Sequence, residues 1–183
     1  MRRLVAVSVV LLSACASSSG PAVAPMPDQT VRIPNSNAGG GGTITIAQAE
    51  SPSQRTVPAS AARIWDALPR VYQTLGLPIT DRNAESRTIG TTSYKVRHRL
   101  GNVPLSRYID CGSTQGSPSA DNYEVLLSVT TRLVPGTGDS TAVSTIVDAM
   151  ARPVFVSGEY INCGSTRALE KRFFDLLGVE LHP

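Results

Sequence analysis

Between residues 60 and 76, apolar side chains recur at three- and four-residue steps: Ala61, Ile64, Trp65, Leu68, Val71, Tyr72 and Leu75. That stripe predicts a helix with one buried face. Ser60 is placed to cap its start and Gly76 to stop it. Pro69 lies inside the pattern and removes the hydrogen bond to the Trp65 carbonyl, so a kink or a junction of two short helices is expected there. The period then changes to two. Residues 88–100 alternate as a strand, with an irregularity expected at Gly90. Lys95, Arg97 and Arg99 fall on one face, and Tyr94, Val96, His98 and Leu100 on the other. A solvated sheet face accounts for the three cations, and an acidic partner or lipid headgroup is the alternative.

Residues 123–134 and 140–150 alternate on either side of the turn sequence Pro135-Gly136-Thr137-Gly138-Asp139, which predicts a hairpin. A further short strand is expected over residues 154–160. A closing helix is expected over residues 166–177, with Leu169, Phe173, Leu176 and Leu177 inward. Ser165 or Thr166 would cap it and Gly178 would end it. Thr43-Ile44-Thr45-Ile46 alternates as a short opening strand. This order predicts one α+β domain, a curved antiparallel sheet of about four to six strands with an N-terminal and a C-terminal helix packed on one face.

Residues 1–42 carry neither period. Arg2 and Arg3 precede an apolar run from Leu4 to Leu12, too short for the roughly 20 residues that span a bilayer as a helix. The run ends in Leu12-Ser13-Ala14-Cys15. A charged start, an apolar core and small residues at a cleavage site make a secretory signal, and these four letters resemble the lipobox of bacterial lipoproteins. The resemblance implies removal of residues 1–14 and lipidation of Cys15. An ordinary cleaved signal peptide is the alternative. Ala16, standing where an aspartate often marks inner-membrane retention, implies the outer membrane with the domain facing the periplasm. Residues 15–42, rich in Ser, Pro, Ala, Asn and Gly, would follow as a flexible tether spanning roughly 25–30 Å. Residues 43–183 would form the periplasmic domain.

The signal also revises the charge. The chain carries 17 Lys+Arg, 14 Asp+Glu and a net charge of +3. Removing residues 1–14 takes two arginines and no acid, which leaves a near-neutral mature protein. Such a chain has no basic footprint for nucleic acid.

A seven-residue motif occurs twice: Tyr108-Ile109-Asp110-Cys111-Gly112-Ser113-Thr114 and Tyr160-Ile161-Asn162-Cys163-Gly164-Ser165-Thr166. Each copy reads as a strand ending in cysteine, followed by a Gly-Ser-Thr corner. With Cys15 lipidated and the compartment oxidising, Cys111 and Cys163 are expected to form a disulfide. Two alternatives are zinc held by both cysteines with His98, and a nucleophilic cysteine with His98 as base. No Ser/His/Asp array, paired-carboxylate motif or nucleotide loop stands out. No catalytic residue, metal site or cofactor is therefore assigned.

The helix containing Ile64-Trp65-Asp66-Ala67-Leu68, the meander after it and the terminal helix resemble the helix-grip domains of the lipoprotein C component of the bacterial β-barrel assembly machinery. The anchor, the tether and one disulfide-stapled α+β domain without a catalytic array predict a non-catalytic binding or scaffold module, an accessory subunit of an envelope assembly with an envelope protein as partner and the membrane reached through the lipid. A second reading is a carrier of a small apolar ligand, with Trp65, Tyr72, Tyr94 and Phe155 lining a cavity between helix and sheet. A third, an enzyme, needs Asp66, Asp81, His98 and Glu124 to converge.

Overall fold

The computed structural model describes residues 51–155 and 158–182, together with the backbone of two short strands, Thr30–Arg32 and Thr43–Thr45. The signal segment and Cys15 lie outside the described residues, as does most of the expected tether. Thr43–Thr45 is a strand, as its alternation suggests, but it pairs antiparallel with Thr30–Arg32 inside the expected tether and not with the main sheet.

The domain proper runs β1 (Ser53–Val57), α1 (Ala61–Leu75), β2 (Asp81–Asn83), β3 (Thr88–Arg97), β4 (Ile109–Asp110), α2 (Ser119–Asn122), β5 (Tyr123–Pro135), β6 (Thr141–Pro153), β7 (Ile161–Ser165) and α3 (Ala168–Leu181). It is an α+β fold. Seven antiparallel strands, more than the four to six expected, form one open sheet in the order β2-β3-β5-β6-β7-β4, with β1 pairing on β6. The centre is the β5–β6 hairpin, paired without a break from Pro135↔Thr141 to Tyr123↔Pro153. Val125, Leu127, Val129, Thr131 and Leu133 of β5 are buried with Val143, Thr145, Val147, Ala149 and Ala151 of β6. Strand side chains alternate between faces, so these define one inner face. Both long helices pack on it and on each other.

Helix α1 forms as its pattern dictates. The Ser60 hydroxyl accepts from the Arg63 amide at 3.3 Å, and Gly76 takes a left-handed conformation (φ 77°). The Gly76 and Leu77 amides donate back to the Gln73 and Tyr72 carbonyls, closing the last turn with Leu77 buried beneath it. Pro69 is accommodated in one continuous helix. Beneath it Tyr72 is fully buried. Its hydroxyl lies within hydrogen-bond distance of the Ile89 and Val129 carbonyls and of Thr131 Oγ1, which in turn meets Thr145 Oγ1 at 3.1 Å. Burial raises the Tyr72 phenol well above its ordinary pKa.

Three boundaries depart from expectation. Helix α3 starts later and continues through Gly178 to Leu181. Burial of Leu177 and Leu181 holds its last turn, the Leu181 carbonyl accepts from Arg63, and Glu180 pairs with Arg70 of α1 at 2.5 Å. At its start Arg167 is left-handed (φ 66°), while the Ser165 and Thr166 hydroxyls accept from the Arg167 and Ala168 amides. Among the described residues of the expected 154–160 strand, Val154, Phe155 and Gly158 to Tyr160, none is in a strand; β7 begins only at Ile161. The β3 irregularity falls not at Gly90, which pairs regularly with Thr130, but between the pairs Leu127↔Tyr94 and Val129↔Thr91. There Thr92 and Ser93 oppose the single Ser128, and the left-handed Ser93 (φ 51°) donates its amide to Ser128 Oγ at 2.9 Å. This bulge reverses the alternation: Ile89 and Thr91 point inward before it, Tyr94 and Val96 after it.

Gly90 is needed for a different reason. A Cβ there would sit 2.5 Å from the Val129 carbonyl oxygen. Gly90→Ala is therefore expected to destabilise the domain by roughly 1–3 kcal/mol. Gly178 has open space around it, and Gly178→Ala should stabilise by about 0.5–1 kcal/mol. Urea titrations of both variants check the opposite signs.

Candidate functional site

Side chains on the outer sheet face are mostly polar, with one ionic focus. Glu124 of β5 pairs in register with Arg97 of β3 on one side and Arg152 of β6 on the other. Its carboxylate meets Arg97 Nη2 at 2.7 Å, Arg152 Nη2 at 2.9 Å and Lys95 Nζ at 3.4 Å. Tyr160, immediately before β7, donates its hydroxyl to Oε1 at 2.9 Å, and the Arg152 guanidinium lies 4.7 Å from the Tyr160 ring centroid. These partners close over Glu124, which is 3% exposed although it points away from the helices. The Arg97 guanidinium and then the Tyr160 hydroxyl stabilise the carboxylate most, lowering its pKa to about 2. Burial and the adjacent carboxylate raise the Tyr160 pKa. Two of the three cations in the expected stripe thus belong to this cluster. Arg99 does not: His98 turns left-handed (φ 61°), and Arg99 enters a small ribbon with Val103–Pro104, where it donates to the Asn102 carbonyl.

The repeated motif forms the second focus. Its two copies lie antiparallel, with Gly164 opposite Asp110 and Ser165 opposite Ile109, and the Thr166 amide donates to the Tyr108 carbonyl at 2.9 Å. One step further along this pairing, Cys163 faces Cys111. Their Cα atoms are 4.3 Å apart and the sulfurs are bonded. Near-identical sequence, differing only at Asp110 and Asn162, on antiparallel neighbours thus sets the two cysteines opposite each other at the centre of the pairing. Each copy also places a tyrosine against an arginine, Tyr108 accepting from Arg172 and Tyr160 stacking with Arg152. The symmetry breaks after Cys111. Gly112 turns left-handed (φ 72°) and donates its amide to Asp110 Oδ1, so only the first copy makes a corner. The second remains strand through Ser165 because β6 pairs with Ile161–Cys163.

The bonded thiols leave neither cysteine for zinc or nucleophilic attack, and His98 Nδ1 meets the Asp121 carbonyl oxygen at 2.6 Å. Among the described residues no three His, Cys, Asp or Glu side chains are grouped to hold a metal. Asp66, Asp81, His98 and Glu124 share no hydrogen bond; Asp81 is held by the Thr80 and Thr92 hydroxyls, which lower its pKa.

The expected aromatic cavity does not assemble. Tyr72 fills the helix–sheet interface, edge-on to Phe173 at 6.1 Å. Trp65 and Tyr94 are half-buried against the core, Trp65 with Arg82 over its ring, and Phe155 is 98% exposed. Two surface depressions, of about 550 Å³ beside Arg55 and Glu170 and about 400 Å³ beside Cys111, are lined by none of the four. Glu124, Arg152 and Tyr160 escaped sequence reasoning as a site. Counting outward from the hairpin turn sets Glu124 opposite Arg152, and this was the available signal.

The disulfide closes a separation of 52 residues, which on the chain-entropy account stabilises by about 4 kcal/mol. Cys111→Ser should lower the melting temperature by on the order of 10 °C under oxidising conditions. A reductant able to open the bond should bring the two proteins together. Glu124 gives a pH signature. Its folded pKa of about 2 lies below the ordinary 4.5, so its contribution is full above about pH 4.5 and lost as pH falls toward 2. Glu124→Gln should melt earlier at neutral pH and lose less stability than the parent across that acid window. Thermal melts at stepped pH check both.

No protein-family model matches the chain, and no curated protein sequence matches it either.

Proposed function

We propose that the chain is a lipid-anchored envelope lipoprotein of the outer membrane whose periplasmic α+β domain is a non-catalytic binding or scaffold module, offering the outer sheet face to an envelope protein. The single observation that carries this reading is the one-sided covering of the β5–β6 hairpin. Both long helices lie on the inner face, while outer-face side chains Thr130, Arg132, Val134, Asp148 and Met150 are exposed. A broad, rigid surface of mixed character suits protein contact, where an enzyme needs convergent groups in a cleft. The signal-like Leu12-Ser13-Ala14-Cys15, the following Ser/Pro/Gly-rich stretch and a disulfide suited to an oxidising compartment support the address. No helix among the described residues is long and apolar enough to cross a membrane.

The reading predicts two outcomes in a bacterium with two membranes. Cys15→Ser should move the chain from the membrane fraction to the soluble periplasmic fraction, followed by sucrose-gradient fractionation. A photo-crosslinker at Thr130 or Asp148 should give a discrete adduct with an envelope protein, and one at Lys171 on the far side of α3 should not. Equal labelling from both faces, or none from either, overturns the assignment of the outer face.

A further inference from the structure

The strand register sets two rows of side chains next to each other on the outer sheet face. One is the ionic row Arg97, Glu124 and Arg152. Two residues along each strand, on the same face and about 7 Å away, come Lys95 of β3, Leu126 of β5 and Met150 of β6. Leu126 is half-buried and Met150 is 40% exposed. The charges in these rows do not cancel. Lys95, Arg97 and Arg152 surround a single carboxylate, and their side chains remain 59%, 47% and 41% exposed. The two arginines each donate to Glu124 from Nη2, and a guanidinium has five N–H donors, so both keep donors for a further acceptor. Glu124 thus holds two guanidinium groups in place on the strands either side of its own, about 10 Å apart. Side chains already held lose less freedom on binding. The one other acid on this face of the β5–β6 hairpin is Asp148, opposite Ser128 and two rows from Arg152.

We propose that these two rows are the docking site for an acidic segment of a protein partner, which sets carboxylates against Lys95, Arg97 and Arg152 and an apolar side chain over Leu126 and Met150. The inference rests on the outer-face reading above and names the chemistry of its partner. The apolar positions lie one row from the arginines on the same sheet face. A ligand that meets both must carry its acidic and apolar groups side by side along a chain, as a peptide does. A phospholipid carries them end to end, headgroup over acyl chain. Acidic side chains complement the cations and suppress partners of the opposite charge.

The test uses the full chain in its native cells with a photo-crosslinker at Asp148, beside the two rows, and mass spectrometry of the crosslinked peptide. That peptide should be rich in Asp and Glu around an apolar residue. Adduct yield should fall about threefold in Lys95→Gln, the size expected for an exposed charge pair, and comparably in Met150→Gln. Lys95→Arg should keep the yield, and so should Arg132→Gln, which removes a cation from the far end of the same face. In permeabilised cells high salt should lower it, because exposed charges are screened. Lys95 makes the longest of the three contacts to Glu124, 3.4 Å, so Lys95→Gln leaves both arginines and Tyr160 on the carboxylate, and its melting curve checks that it folds. A yield unmoved by Lys95→Gln and by salt overturns the acidic partner and leaves the outer face as a docking surface. A crosslinked peptide without acids, a phospholipid adduct or an adduct with a second copy of the chain overturns it equally. No adduct from either Asp148 or Thr130 overturns this inference and the outer-face reading together.

Discussion

The strict alternation of the β5–β6 hairpin is the constraint on which the rest of this structure depends. Across thirteen residues in each strand, one set of positions buries Val, Leu, Ala and Thr under two helices and the other meets solvent. A one-residue slip would exchange the two sets completely. Every neighbour is placed relative to that pair: β3 on β5, β1 and β7 on opposite halves of β6, and the helices on the side where the branched side chains lie. The threonines among the buried set are compatible with this only because they have partners. Thr131 meets both the Tyr72 hydroxyl and Thr145, and Thr141 donates to the Ala59 carbonyl. Polar groups in the core therefore join helix to sheet at fixed points, which apolar contact alone leaves adjustable.

The repeated heptad shows how sequence identity can serve pairing without duplicating a domain. Two copies of one string running antiparallel place like residue opposite like only at their middle position, which here is cysteine. A cross-strand pair at the centre brings two Cα atoms to the 4.3 Å found, close to the spacing of a non-hydrogen-bonded antiparallel pair. The bond fastens β4, a strand of two residues, to a sheet that its own hydrogen bonds would hold weakly. It also secures the irregular segment around Ser106, where the Asp121 carboxylate accepts from both the amide and the hydroxyl.

Much of this was legible in the chain. Helix α1 and its caps, the hairpin with its turn, the α+β class and the cysteine pair all follow from periodicity, turn residues and parity of thiols. What escaped was decided by contacts between distant segments. Gly178 reads as a stop, but Leu181 buried against the core and Arg63 at its carbonyl extend the helix. Val154 and Phe155 read as the start of a strand, yet the edge of β6 is taken by β7 from Ile161 onward. The bulge falls at Thr92 and Ser93, where no glycine marks it, because Tyr94 and Val96 must return to the inner face against Leu127 and Val125. Four aromatics suggested a cavity because their types suit one; tertiary packing separates them.

Glu124 shows why the outer face can hold a buried charge without the usual penalty. Taking both ions of a pair out of water costs several kcal/mol per ion, which Coulomb attraction often fails to recover. Here only the carboxylate is enclosed. Its three cations keep between 41% and 59% of their side chains in water, and the phenol of Tyr160 fills a remaining acceptor site. Because Arg97, Glu124 and Arg152 occupy one cross-strand row, the interaction is satisfied in one register and lost in a shifted one. The cluster thus reinforces from outside the same alignment that the core sets from inside. In doing so it leaves three half-exposed cations on the outer face, so that the demand for register and the chemistry of the surface have a common origin.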